Sequence, residues 1–186
     1  MPTRFVTSNE AKYREVSLLL RERGVDLEFL QTEYPEVQAD ALEEVVEAAL
    51  DWLAPLHGND LVVDDSGLFV EGLAGFPGVY SSYAYRTLGG EGILRLLEGV
   101  PDRGATFQTV LGLRRDGVNH LFPGRCEGTI APVAKGNEGF GFDPIFIPQG
   151  ASRTFAQMSR AEKNAVSHRG RAANALADHL MAGGGR

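Results

Sequence analysis

Leu61-Val62-Val63-Asp64-Asp65-Ser66-Gly67 is the stretch whose reading decides the architecture. Three consecutive apolar residues, two of them β-branched, make the short continuous run expected of a strand buried on both faces. The run is expected to stop at once in the acidic pair, with Asp65-Ser66-Gly67 turning the chain. Upstream, residues 3–8 read as a strand ending at Thr7-Ser8-Asn9, and a helix follows from about Glu10 to Arg23. Tyr13, Val16, Leu19 and Leu20 give that helix its apolar stripe, and Gly24 closes it. A second strand is expected at 26–31. Residues 40–54 form a further helix, with Leu42, Val45, Val46, Ala49, Leu50 and Leu53 on one face and Asp40, Glu44, Glu47 and Asp51 on the other.

Downstream, a Gly/Pro-rich passage at Gly72–Gly78 leads into aromatic residues at Tyr80–Tyr85 and a helix at 90–98. Residues 105–131 alternate around Asp116-Gly117, a strong hairpin signal. A glycine-rich loop from Gly136 to Gly150 contains the extended run Pro144-Ile145-Phe146-Ile147-Pro148. Ser159 and Glu162 have capping-box spacing, and Ala172, Leu176 and Leu180 continue a terminal helical face. The run Gly183-Gly184-Gly185 is expected to fray. Strands and helices are interspersed, so the fold class is mixed α/β, and residues 1–186 read as a single domain.

Composition narrows the function. The 186 residues are 43% hydrophobic and 23% charged, with a net charge of −7. That acidity argues against a nucleic-acid backbone as partner, while a small anion is acceptable where cations are gathered locally. The single Cys126 excludes an internal disulfide, and no apolar run is long enough to span a bilayer. The chain therefore reads as soluble and cytoplasmic, with no membrane partner.

Five segments carry candidate chemistry. Thr7-Ser8-Asn9-Glu10-Ala11-Lys12 joins a strand to a helix N-terminus, where free N–H groups and the helix dipole favour phosphate and Lys12 adds a positive charge. An ordinary capped helix would look the same. Asp64-Asp65 offers hard oxygen ligands of the kind Mg²⁺ takes together with substrate phosphates, and a metal-free carboxylate could deprotonate water. The alternative is the simple strand-ending turn. Tyr34-Pro35-Glu36 puts one more acid in a non-helical loop. Gly139-Phe140-Gly141-Phe142-Asp143-Pro144 allows close approach of a ligand and stacking on a base, although Phe142 could equally pack into a core. Lys163-Asn164-Ala165-Val166-Ser167-His168-Arg169 is the local basic patch that an anionic substrate needs.

In this order, together with Gly75-Phe76-Pro77-Gly78-Val79-Tyr80-Ser81, these motifs resemble the inosine triphosphate pyrophosphatase family, also called Ham1-like. Tyr34-Pro35-Glu36-Val37-Gln38 and the Tyr80–Tyr85 segment look closest to its archaeal-type branch. The resemblance implies an elongated mixed sheet with flanking helices, two lobes around a central cleft, and a homodimer. It implies hydrolysis of ITP, dITP and XTP, non-standard purine triphosphates, to monophosphate and pyrophosphate. By motif match, Thr7, Ser8, Asn9, Glu10, Ala11 and Lys12 hold the phosphates with help from Ser66. Glu36 and Asp65 bind Mg²⁺, and Asp65 accepts the proton. Phe140, Gly141, Phe142 and Asp143 line the base pocket, Lys163 meets the nucleotide, and His168 and Arg169 read the base edge. Ala48 and Ser82-Tyr83 stand where relatives often carry a lysine and an arginine. Two rivals stay open: a general metal-dependent phosphatase and a non-catalytic nucleotide-binding module.

Overall fold

The computed structural model describes residues 2–183. Gly184 and Gly185 of the expected frayed tail lie outside the described residues, while Gly183 is the last residue of a helix. Strand β1 (Arg4–Val6) pairs in parallel with β2 (Glu28–Leu30) on one side and with β3 (Leu61–Val70) on the other. Between β1 and β2 runs α1 (Glu10–Glu22), and α2 (Leu42–His57) precedes β3. The short β4 (Pro77–Gly78) pairs antiparallel with β3, followed by α3 (Ser81–Thr87) and α4 (Gly89–Leu96). Next comes the hairpin of β5 (Gly104–Arg115) and β6 (Val118–Ile130), then β7 (Phe146–Pro148), antiparallel to β6, and finally α5 (Arg160–Val166) and α6 (His168–Gly183). The sheet order is β2-β1-β3-β5-β6-β7, with β4 on β3. This is the mixed sheet with flanking helices that the sequence implied.

The chain forms two compact units. The first takes the residues up to Asp65, Thr109–Gly124 and the residues from Arg169 onward; the second takes Ser66–Gln108 and Arg125–His168. Each has its own core. In the first, Phe5 and Val62 of the sheet and Val16 and Leu20 of α1 close around Leu111, Leu113, Ala172, Ala173 and Leu176. In the second, Leu68, Val70, Ile93, Phe107, Phe142, Phe146 and Phe155 pack together, with Phe107 edge-on to Phe146 at 4.7 Å between ring centroids. Burying side chains of this size stabilises by roughly 1.5–3 kcal/mol each before conformational entropy is set against it.

Local chemistry explains most element ends. Asn9 caps α1 through its side-chain oxygen, and Gly24 follows the helix at φ 76°. Asp116 (φ 51°) and Gly117 (φ 79°) make a two-residue turn of the kind that matches strand twist. The Ser159–Glu162 capping box forms as read.

One expectation is corrected. Asp64-Asp65-Ser66-Gly67 does not end the strand; β3 continues to Val70. A Cβ on Gly67 would lie 2.3 Å from the Gly78 carbonyl oxygen, so only glycine lets the backbone of β4 come alongside. The Ser81 hydroxyl accepts from the Leu68 N–H at 2.8 Å and donates to the Gly78 carbonyl at 2.7 Å, which supplies the extended chain with partners. Because successive strand side chains face opposite ways, Asp64 points into the interior while Asp65 does not. A second correction concerns Pro144-Ile145, read as extended. Asp143–Ile145 is one 3-10 turn, and extension begins at Phe146.

Candidate active site

In the first unit the buried end of the acidic pair is held by two cations. Asp64 is 3% exposed. Its Oδ1 pairs with Lys12 Nζ at 2.6 Å, and its Oδ2 accepts from Arg169 Nε at 3.0 Å. Arg169 in turn donates from Nη1 to Glu15 Oε2 at 2.6 Å. Burial alone would push the Asp64 carboxyl up; the charges of Lys12 and Arg169 outweigh it and hold the group well below the usual carboxylate range. Asp64 is therefore ionised throughout the physiological range and occupied by its partners. Lys12, on the first turn of α1, is the most exposed member, with 17% of its side chain accessible.

Asp64, Asp65 and Glu36 all act on one neighbour, Tyr34. The Tyr34 hydroxyl is pushed far above the ordinary phenol value, first by desolvation and then by the negative charges of Asp64, Asp65 and Glu36. Three carboxylates thus act on one phenol. Among the described residues no three His, Cys, Asp or Glu side chains form a metal-holding group by themselves.

The segment before α1 differs from its reading in one respect. The amides expected to face a phosphate are largely satisfied locally. Asn9 N–H donates to Thr7 Oγ1 at 3.1 Å, Ala11 and Lys12 N–H donate to Asn9 Oδ1 at 3.0 and 3.3 Å, and Thr7 N–H donates to the Leu30 carbonyl at 3.2 Å. Asn9 is thus a helix cap, as the plainer reading allowed. Glu10 is turned to the surface, paired with Arg14 at 2.7 Å, Ser8 is exposed, and Ser66 is half-buried on β3.

In the second unit the glycine-aromatic loop and the basic patch come together. Asp143 Oδ2 accepts from the Phe140 N–H at 2.9 Å and from Lys163 Nζ at 2.7 Å, and both charged side chains are 4% exposed. Lys163 Nζ also lies 5.0 Å from the Phe140 ring centroid, within cation–π range. Phe142 is in the core, edge-on to Tyr85 at 5.3 Å, so of its two sequence readings the packed one is observed. Gly141 has φ 63°. His168 is buried and stacks on Phe107 with ring centroids 4.6 Å apart and planes within 8°.

Gly139 is required here on two grounds. Its φ is 73°, and a Cβ would lie 2.0 Å from Asp143 Oδ2. Gly139→Ala is expected to destabilise by about 1–2 kcal/mol from backbone strain alone and to dislodge Asp143 from Lys163. The urea midpoint measures the first effect, and a loss of nucleotide affinity at unchanged fold measures the second.

At the start of α5, Glu162 is held at about 2, below its ordinary 4.5, chiefly by the hydrogen bond from Arg153 and then by the Ser159 backbone N–H. The sign follows from linkage: a depressed carboxylate contributes stability above its unfolded value, lost as pH falls from 4.5 toward 2. A site-resolved NMR titration should place the Glu162 midpoint near 2, and Arg153→Ala should move it upward.

Sequence reasoning missed Glu15 and Tyr34. Glu15 has a readable signal, since it is three residues beyond Lys12 and so one turn along the same helix face. Nothing in the local sequence marks Tyr34, whose surroundings are assembled by β3.

Comparison with known proteins agrees with the resemblance. The family model described as Ham1 family matches residues 3–179. A Pyrococcus horikoshii protein named dITP/XTP pyrophosphatase is 50% identical over 176 residues, covering 95% of each chain. One of the same name from Thermococcus kodakarensis is 52% identical over 176 residues, again 95% of each. Among solved structures, a HAM1 protein from Coxiella burnetii superposes with a TM-score of 0.85 at 30% identity, covering 97% of this chain and 99% of that one. With the match running nearly end to end, the chain belongs to the Ham1 family.

Proposed function

We propose that the protein hydrolyses non-standard purine nucleoside triphosphates, namely ITP, dITP and XTP, to the monophosphate and pyrophosphate in a Mg²⁺-dependent reaction. The observation that carries this reading is the division of labour in the acidic pair. Asp64 is locked between Lys12 and Arg169, while Asp65, on the other face of β3, and Glu36 both act on the Tyr34 phenol. The names of the relatives at half identity point to the same substrates.

In this reading Asp65 and Glu36 hold Mg²⁺, which when bound supplies charge neutralisation for the phosphates. Asp65 orients the attacking water and takes its proton. Lys12 is the principal charge for the phosphates, and the hydroxyls of Thr7, Ser8 and Ser66 are the proposed donors to them. Phe140 supplies an aromatic face for the base, and Asp143 holds Lys163 in place beside that ring. His168 and Arg169 are the proposed readers of the base edge. A donor aimed at a 6-oxo group would face the amino group of adenine, and the resulting unpaired buried donors cost about 1–3 kcal/mol. The reading places the enzyme in the cytoplasm, where nucleotide pools lie; among the described residues no helix is long and apolar enough to cross a membrane.

A homodimer is part of the proposal, supported by the exposed side chains of Phe76 (39%), Tyr80 (46%) and Tyr83 (64%) in the second unit. Light scattering of the purified chain tests it.

The deciding assay incubates the protein with ITP, XTP, dITP, GTP and ATP, with and without Mg²⁺, and quantifies pyrophosphate and orthophosphate separately. Pyrophosphate from ITP, XTP and dITP, dependent on Mg²⁺ and weak with ATP, is the expected result. Orthophosphate as first product would identify a general phosphatase. Saturable ITP binding without turnover would identify a binding module.

A further inference from the structure

We infer that Glu15 is a positioning residue for phosphate binding, acting on Lys12 through Arg169 and Asp64. Four charged groups form one chain: Glu15 Oε2 to Arg169 Nη1 at 2.6 Å, Arg169 Nε to Asp64 Oδ2 at 3.0 Å, and Asp64 Oδ1 to Lys12 Nζ at 2.6 Å. Glu15, Asp64 and Arg169 are all nearly inaccessible, with side-chain exposures of 7%, 0% and 2%, and only Lys12 reaches accessible space. The chain begins and ends on α1 and passes through α6 and β3, so it closes a ring over three elements of the first unit.

Two carboxylates and two cations balance, which is the condition for placing such a group in the interior. Glu15 matters because of what its loss would do to the other three. A lysine side chain is long and loses considerable rotamer entropy when held. Here the holding is done by Asp64 Oδ1, and Asp64 is steady because Arg169 grips its other oxygen. Arg169 is in turn anchored at its far end by Glu15. Without the Glu15 charge the guanidinium loses its Nη1 anchor, and it competes with Lys12 for Asp64. Lys12 then loses its fixed place. Glu15 touches neither the phosphates nor the reacting atoms in this scheme.

The inference rests on the reading of Lys12 as a phosphate ligand, and the test separates the two. Steady-state kinetics with ITP and Mg²⁺ are measured for the full chain and for Lys12→Ala, Glu15→Gln and the double variant. Lys12→Ala should raise KM about tenfold or more, and Glu15→Gln should raise KM by a similar factor with kcat changed less than about threefold. In the Lys12→Ala background Glu15→Gln should change KM less than about twofold, because the group it positions is gone. Equal, multiplicative effects in both backgrounds would overturn the positioning role and leave the reading of Lys12 standing. A normal KM in Lys12→Ala would overturn that reading and the inference with it. Should Glu15→Gln prove unfolded at the assay temperature, Glu15→Asp replaces it in the cycle. That variant keeps the charge but withdraws it by one methylene, and an unchanged KM there also overturns the role.

Discussion

Asp65→Asn is expected to lower turnover of ITP by about two to four orders of magnitude, the range attributed to loss of a positioned general base, while the thermal midpoint stays close to that of the parent. The asymmetry within the pair is the reason. Asp64 and Asp65 are adjacent in sequence but face opposite sides of β3. Asp64 has both oxygens engaged by cations and is fully buried. Its replacement would disturb the structure. Asp65 is half-buried and its charge acts on Tyr34, so an isosteric amide removes its charge with little change in packing. An asparagine cannot take the proton from water, and it is a poorer ligand for a hard cation. The decisive pair of measurements is pyrophosphate release under saturating Mg²⁺ and the melting curve of the same sample. Near-normal turnover in a well-folded Asp65→Asn variant would remove Asp65 from the general-base role.

Arg169→Ala is expected to act in the opposite way, mainly on stability. Removing the arginine takes the Nε contact from Asp64 and the Nη1 contact from Glu15 in the interior of the first unit. Breaking a buried ion pair by deleting one partner typically costs about 3–5 kcal/mol, because an uncompensated charge stays behind. For a chain of this size that corresponds to a thermal midpoint lowered by roughly 10 °C. Lys12 cannot take over, since it already occupies the other oxygen of Asp64. A shift of only a degree or two would mean that the network contributes little to folding. The same variant, assayed where it is folded, also tests base reading. A reduced preference for ITP over ATP would assign Arg169 that role, and an unchanged preference would pass it to other residues such as His168.

Much of this protein is legible in its sequence because much of it is local. The stripes of α1 and α2, the Asn9 and Ser159–Glu162 caps and the Asp116-Gly117 turn each depend on side chains within a few residues of the backbone they satisfy. The family was legible too, because its motifs are short and keep their order. What the sequence could not assign was the partner of each charge. Read along the chain, Lys12 and Arg169 were ligands for a substrate, and no carboxylate was assigned to hold them.

Tertiary structure supplied that carboxylate by extending β3 past Gly67 and seating Asp64 between the two cations. The cause is distant in sequence: the backbone of Gly78 and the hydroxyl of Ser81 complete the hydrogen bonding of residues that would otherwise turn. Once the strand continues, alternation sends the two carboxylates to opposite faces, with Asp64 drawn into an ion network between Lys12 and Arg169. Composition and order along the chain determined which chemistry this protein carries. Only packing decided which carboxylate is spent on structure, because the energy of a buried charge depends on what surrounds it in space rather than on what precedes it in the chain.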